Sequence, residues 1–301
     1  MITLEELEQD RINLKKKILL VTGITAAIVA LIALIFQTIE VLFFGLVAIL
    51  IIPALVTGKA KRDYILKFKK YFVLSALKTG FTDLTYRPEQ GMGRDVIAST
   101  KMMHMGDRYT SNDYISGKYK DIGFRQADVH IEEERESTDS DGNTTTYWVT
   151  LFKGRWMIFD FNKSFKADLQ VAQKHFGNNR ISNWGNENKF QRVKLESMDF
   201  NKRFNVFAQS DHEAFYLLTP PTMEKIIKLD DMNKGRLLLC FIDNKLHIGL
   251  YDGKDSFEHA PIFKEINEEQ VRNNISTDIK QITMFIDELD LDNDLFRREA
   301  K

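Results

Sequence analysis

The sequence predicts an α+β protein in which an N-terminal transmembrane α-helical hairpin precedes a soluble mixed α/β domain with antiparallel hairpins. Three observations predict it. Ile18 to Val56 is a nearly continuous apolar run whose main interruption is Gln37, Thr38 and Glu40. Stretches dense in β-branched and aromatic residues flank turn-forming residues at Ser137–Asn143 and Asp243–Asn244. Near the end of the chain, Ile275, Ile279, Ile282, Phe285, Ile286 and Leu289 recur at helical steps of three and four.

The apolar run divides into two spans. Ile18–Phe36 carries no charge, and a helix of that length rises about 28 Å, close to the roughly 30 Å hydrocarbon core of a bilayer. Ile39–Val56 has Glu40 only at its mouth, so it crosses with slight local thinning. Backbone exposed to lipid must be hydrogen-bonded internally, so the short connection belongs at the far interface, where Glu40 reaches water. Lys15, Lys16 and Lys17 precede the hairpin, Lys59, Lys61 and Arg62 follow it, and the turn from Gln37 to Glu40 has no cation. Basic flanks stay cytoplasmic, so both termini are expected in the cytoplasm. A cleaved signal peptide fits poorly, because the apolar stretch runs on into a second one instead of ending at a small-residue cleavage site. Gly23, Ala26, Ala27, Ala30 and Ala33 offer small-residue spacings that would let the second helix approach through Gly45 and Ala48.

The expected segments are residues 1–17 as a cytoplasmic N-terminal piece, 18–36 and 39–56 as membrane helices, and 37–38 as an extracytoplasmic turn. Residues 57–80 are a basic juxtamembrane helix, with Ile65, Phe68, Phe72 and Leu77 on one side. Its cations Lys59, Lys61, Arg62, Lys67, Lys69 and Lys70 are the candidate inner-leaflet contacts, each worth about 1 kcal/mol near an anionic surface. Residues 81–301 form the cytoplasmic domain, with a sub-unit boundary expected near 177–190, where Gly177-Asn178-Asn179 and Asn183-Trp184-Gly185-Asn186 mark an irregular connection.

Within that domain, Tyr86–Gly91 has loop chemistry and Asp95–Met103 reads as a short helix. From Ala127 onward alternation predicts a long β-hairpin closing at Ser137–Asn143 and returning through Thr144–Phe161. Asp139–Asn143 resembles a calcium loop only superficially, because its glycine stands fourth and Thr150 occupies the twelfth position. Asp160-Phe161-Asn162-Lys163-Ser164-Phe165 is echoed by Asp199-Phe200-Asn201-Lys202-Arg203-Phe204, which suggests two related turns between aromatic anchors. Asp211 is positioned to cap a helix through Leu218, and Thr219-Pro220 to start another reaching Met232. Arg236–Ile242 and Lys245–Tyr251 should then pair about Asp243-Asn244, ahead of the C-terminal helix.

Chemistry is sparse. The net charge of −1 argues against a nucleic-acid binder. The single cysteine, Cys240, sits in an apolar run and should pack as a small hydrophobe. His104, His130, His175, His212, His247 and His259 show no metal-ligand spacing, and Gly91-Met92-Gly93-Arg94 lacks the rest of a phosphate-cradling loop. No catalytic residue, cofactor or metal site is expected, and the reading leans against an enzyme.

Several runs resemble a known family. They are Asp113-Tyr114-Ile115-Ser116-Gly117, Phe152-Lys153-Gly154-Arg155-Trp156, Leu195 through Phe204, and Glu213 through Pro220. The chain resembles domain-of-unknown-function family 3137 over roughly Tyr64 to Leu291, most specifically from Leu195 to Pro220. The resemblance implies an uncharacterised bacterial protein with two membrane helices ahead of a soluble domain, and no assigned reaction. The leading expectation is a scaffold or interaction protein at the inner membrane face, with the lipid bilayer and another membrane or envelope protein as partners. The alternative is a membrane-tethered enzyme or small-ligand sensor with a polar pocket.

Overall fold

A computed structural model describes residues 2–161, 165–174, 176 and 190–291. The chain forms two compact units, Met1–Ala76 with Phe257–Ser276, and Leu77–Ser256 with Thr277–Lys301. The α+β class is borne out: two long apolar helices are followed by an antiparallel sheet with helices.

In the first unit, α1 (Leu4–Phe36) begins with a capping box, Thr3 accepting from the Glu6 amide while Glu6 reaches back to the Thr3 amide. It ends at Gln37, whose left-handed conformation (φ 51°) lets its amide bond the Ala33 carbonyl. After Thr38, α2 (Ile39–Phe68) runs directly into a π-helical turn (Lys69–Val73) and α3 (Leu74–Gly80). The widened turn has a sequence correlate. The apolar stripe steps by three and four from Ile65 to Phe68 to Phe72, then by five to Leu77, and a π turn accommodates that extra residue.

The second unit is built on a sheet of nine strands among the described residues, every neighbouring pair antiparallel. The strands are β1 (Thr82–Arg87), β2 (Arg108–Tyr119), β3 (Ile122–Thr138), β4 (Thr144–Asp160), β5 (Leu169–Gln173), β6 (Gln191–Val193), β7 (Phe204–Ala208), β8 (Arg236–Ile242) and β9 (Lys245–Tyr251). Their spatial order is β1-β2-β3-β4-β9-β8-β5-β7-β6. One face carries Ala127, Val129, Phe152, Trp156, Leu238 and Cys240, packed with Met92, Ile97, Met102 and Met105 from the stretch around α4 (Arg94–Ala98). Gly249 makes room there: a Cβ at that position would lie 2.8 Å from the Trp156 indole. On the opposite face Phe159 meets Phe285 of α8 (Glu268–Glu288), where Ile282, Phe285 and Ile286 are fully buried.

The long β3/β4 hairpin and the β8/β9 hairpin match the sequence reading, and Asp243 and Asn244 both take positive φ at the two-residue turn. Asp139 closes the β3/β4 tip by accepting from the amides of Asp141 and Asn143. Cys240 is fully buried, and burial pushes its thiol up.

Other expectations are corrected. Tyr86 and Arg87 belong to a strand, not a loop, because β1 pairs along β2. The short helix ends at Ala98 instead of reaching Met103. Ser210, not Asp211, is the cap residue of α6 (Asp211–Leu217), with Asp211 in its first turn. The echoed motif does not make two equal turns at its described positions: Asp160 ends β4, whereas Asp199 lies inside α5 (Met198–Arg203), capped by the Ser197 side chain. Asn162, Lys163 and Ser164 of the first copy, and the connection expected at Gly177–Asn186, lie outside the described residues. Thr219 precedes α7 (Pro220–Met232) as expected.

Candidate membrane-facing site

The feature of the helical unit with a functional consequence is its inverted burial. Leu20, Leu31, Leu34, Phe36, Leu42, Phe44, Leu50 and Leu55 are all exposed. The buried positions of the same helices include Thr25, Gly45, Pro53 and Thr57. Large side chains therefore point outward and small ones form the seam. A Cβ on Gly45 would meet Val29 Cγ1 at 2.3 Å, so any larger residue there would force Val29 or the helix approach to shift. Thr25 and Thr57 keep their hydroxyls satisfied inside the seam by donating to the Val21 and Pro53 carbonyls. Gly23 has nothing near its Cβ position, so it takes no part in that contact. Both helices are long and apolar enough to cross a membrane.

Beyond the apolar run the two helices continue as a polar collar. Leu7, Arg11 and Leu14, spaced four and three apart on α1, are buried, as are Tyr64, Phe68 and Phe72 on the other helix. Arg11 donates to Glu8 (2.5 Å) and to the Ile262 carbonyl (2.7 Å). The Arg11 guanidinium holds the Glu8 carboxyl below its ordinary range through that hydrogen bond. Tyr64 stacks edge-on with His259, and burial pushes its phenol up to about 12. Arg272 lies over the Phe72 ring.

The six basic residues fall into distinct environments. Lys59, Lys61, Arg62, Lys67 and Lys70 are exposed, whereas Lys69 is buried in the π turn and does not present its side chain outward. Lys67 is bonded to Asp10 at 2.6 Å, and that bond raises the lysine's pKa. The stretch is thus not a uniform cationic face. Between α1 and α2 lies a groove of about 240 Å³ lined by Asp10, Asn13, Leu14, Lys17, Ala60, Asp63, Tyr64 and Lys67. Sequence reasoning missed the collar. Its signal was the Leu7-Arg11-Leu14 spacing, which extends a helical stripe ahead of the apolar run.

In the sheet unit a chain of polar side chains is buried. Asp128 on β3 accepts from the Ser256 amide (2.6 Å) and hydroxyl (2.7 Å). Burial, aided by the Asp113 charge, pushes Asp128 up to about 7 against the effect of those bonds. Asp113 sits at a positive-φ bulge of β2 and accepts from Tyr86, whose phenol is raised by burial and by that carboxylate. Arg155, paired with Asp128 across β3/β4, donates to Asp278 at 2.8 Å. Trp156 donates to His247 Nδ1 at 3.3 Å, and burial lowers that imidazole to about 4. These groups bind one another, so their chemistry is that of fastening: Asp128 fixes Ser256, and Arg155 fixes α8 at Asp278.

Among known structures, the chain is similar to the crystal structure of the mycobacterial trehalose monomycolate transport factor A, TtfA, at 12% identity and a TM-score of 0.38, covering 79% of this chain and 98% of that one. No curated protein matches it. A family model described as "Protein of unknown function (DUF3137)" matches residues 150–291. That stretch includes the Phe152–Trp156, Leu195–Phe204 and Glu213–Pro220 runs and leaves Asp113–Gly117 outside. Over residues 150–291, then, this chain is matched to the DUF3137 family of unknown function, the family its sequence runs resemble.

Proposed function

We propose that this protein is a bacterial inner-membrane protein that crosses the bilayer twice, keeps both termini in the cytoplasm, and acts as a scaffold presenting its sheet unit to another membrane or envelope protein. The observation that carries the reading is the inverted burial of the hairpin. A helix pair that exposes leucine and phenylalanine while burying threonine and glycine is stable where the surrounding solvent is lipid. The basic flanks and the cation-free turn support the orientation.

Reporter fusions test the topology. A C-terminal fusion is expected to be active only in the form that requires cytoplasm, and one inserted between Thr38 and Glu40 only in the extracytoplasmic form. A C-terminal portion cleaved by external protease in intact cells overturns the orientation. In-cell crosslinking tests the scaffold role: a specific membrane or envelope partner should be recovered, and lost when the sheet unit is deleted. Turnover of a substrate by the purified protein with no such partner would show the role to be enzymatic instead.

A further inference from the structure

The β3/β4 hairpin outgrows its sheet. β9 covers the outer edge of β4 only from Gly154 to Asp160, so Thr144–Thr150 pairs with β3 alone among the described residues. That stretch is about 23 Å of strand, exposed except at the half-buried Val149. The register fixes where its backbone groups point. Glu134 sends its N–H away from β4, to the Asp107 carboxylate at 2.9 Å, and Glu132 sends its carbonyl the same way, to the Asp107 amide at 2.8 Å. Their partners on β4, Trp148 and Thr150, therefore point their own backbone groups outward, and by the alternation of an antiparallel ladder so do Thr144 and Thr146. Natural edges are blunted by charges, proline or bulges, because bare strand groups invite pairing. Thr144–Thr150 has no charged residue and no proline.

The strand behind this edge is acidic. Glu132, Glu134 and Glu136 stand opposite Thr150, Trp148 and Thr146 and share their face. Arg108 pairs with Glu132 at 3.3 Å and lies over the Trp148 ring, while Arg135 pairs with Glu133 on the other face. Among the described residues Glu134 and Glu136 take part in no ion pair, so three carboxylates face one guanidinium. A strand added beside β4 would lie about 10 Å from β3, two interstrand spacings, and a lysine or arginine on it would reach Glu136 over the short Thr146 side chain.

We propose that this edge binds an extended, basic segment of a partner protein as an added antiparallel strand, Thr144, Thr146, Trp148 and Thr150 supplying the backbone hydrogen bonds and Glu134 and Glu136 attracting its cations. The assignment rests on the scaffold role proposed above and names the surface through which that role works.

The test uses the full chain in phosphatidylcholine nanodiscs, with empty nanodiscs as control, and a fluorescent peptide of alternating lysine and valine whose binding is read by anisotropy. The lysine peptide should bind, and its glutamate–valine counterpart should not. When the lysines lie beside Glu134 and Glu136, their backbone N–H groups face β4 and those of the valines face away. Methylating the lysine backbone nitrogens should therefore weaken binding at least tenfold, and methylating the valine nitrogens should leave it unchanged, with the charge of the peptide the same in both. Thr146→Pro, tolerated on an edge whose N–H faces solvent, should cause the same tenfold loss. Glu134→Gln or Glu136→Gln should each weaken binding about two- to fivefold, as for an exposed ion pair. Binding of the acidic peptide, equal loss from both methylation patterns, or undiminished binding by Thr146→Pro overturns the proposal. Self-association of the chain that disappears in Thr146→Pro overturns it in favour of a second copy on the same edge. Crosslinking in cells separates the two readings. A specific partner still recovered with Thr146→Pro sinks the edge alone, whereas no partner with either chain sinks the scaffold role.

Discussion

The helical unit and the sheet unit use the same side chains in opposite ways. In the hairpin, Leu34 and Leu55 are more than two-thirds exposed while Thr25 and Thr57 are buried. In the sheet unit Trp156, Phe152 and Leu238 are fully buried, and the polar groups that join them inside, such as Asp128 and Gln170, accept or donate hydrogen bonds. The difference teaches that each unit is matched to its own solvent. In water, apolar area drives collapse. In lipid it drives nothing between helices, and close packing of small residues takes over.

The comparison breaks first in the sheet core. Trp156→Ala removes the largest fully buried side chain among the described residues, and with it the partner of His247, so the sheet unit should lose about 3–5 kcal/mol. Urea denaturation followed by circular dichroism checks this, and an unchanged midpoint would refute the picture of a close-packed core. Mid-span in the hairpin, Ile28→Arg should cost about 3 kcal/mol of insertion, read as loss of the chain from the membrane fraction. The same change would be nearly neutral on an exposed helix in water, so undiminished membrane partition would mean that the hairpin is not in lipid.

Two buried groups sharpen the sheet side through pH. Asp128 has its folded pKa raised, to about 7, so its contribution is most favourable at low pH and is lost as pH rises toward 7. His247 has its folded pKa lowered, to about 4, so its contribution is present above its unfolded value and is lost as pH falls from about 6.5 toward 4. Between pH 5 and 7 each is worth about 2 kcal/mol with opposite sign, and the two nearly cancel. Asp128→Asn should therefore make stability rise across that window, and His247→Gln should make it fall. Parallel melting curves for both variants would contradict these environments.

The smallest effect belongs to the basic stretch. In nanodiscs of mixed neutral and anionic lipid, Lys59→Gln or Lys61→Gln should lower anionic-lipid enrichment by about 1 kcal/mol each at low salt. Lys69→Gln should leave it unchanged, because that side chain is buried. An equal fall for all three would mean that the collar does not fold around Lys69.

The regions also differ in how plainly they read from sequence. The hairpin was legible because two long apolar runs parted by Gln37, Thr38 and Glu40 need no knowledge of partners. The β3/β4 and β8/β9 hairpins were legible because alternation and turn chemistry agree. β2 was hidden because its alternation is broken at the Asp113 bulge, and β5 because four successive buried residues leave no period to detect. The collar depends on Arg11 meeting Ile262, and the Asp128 array on meeting Ser256. Such contacts are made by the fold across long separations: the Leu7-Arg11-Leu14 spacing marks a buried stripe but not the segment that covers it. The echoed Asp-Phe-Asn-Lys motif misled for the complementary reason: its second copy, expected as a turn, is drawn into α5.

Arg11 and Ile262 are 251 residues apart, yet they belong to one compact unit. During synthesis the segment that covers Arg11 follows the hairpin by the roughly 190 residues between Phe72 and Ile262. At about 5–20 residues per second, the collar waits roughly ten to forty seconds for it. Throughout that interval a nascent chain carries Arg11 paired with Glu8 but without the Ile262 carbonyl, and Tyr64 without His259 against its ring. A ribosome-stalled product truncated before Phe257 is therefore chemically distinguishable from the full chain.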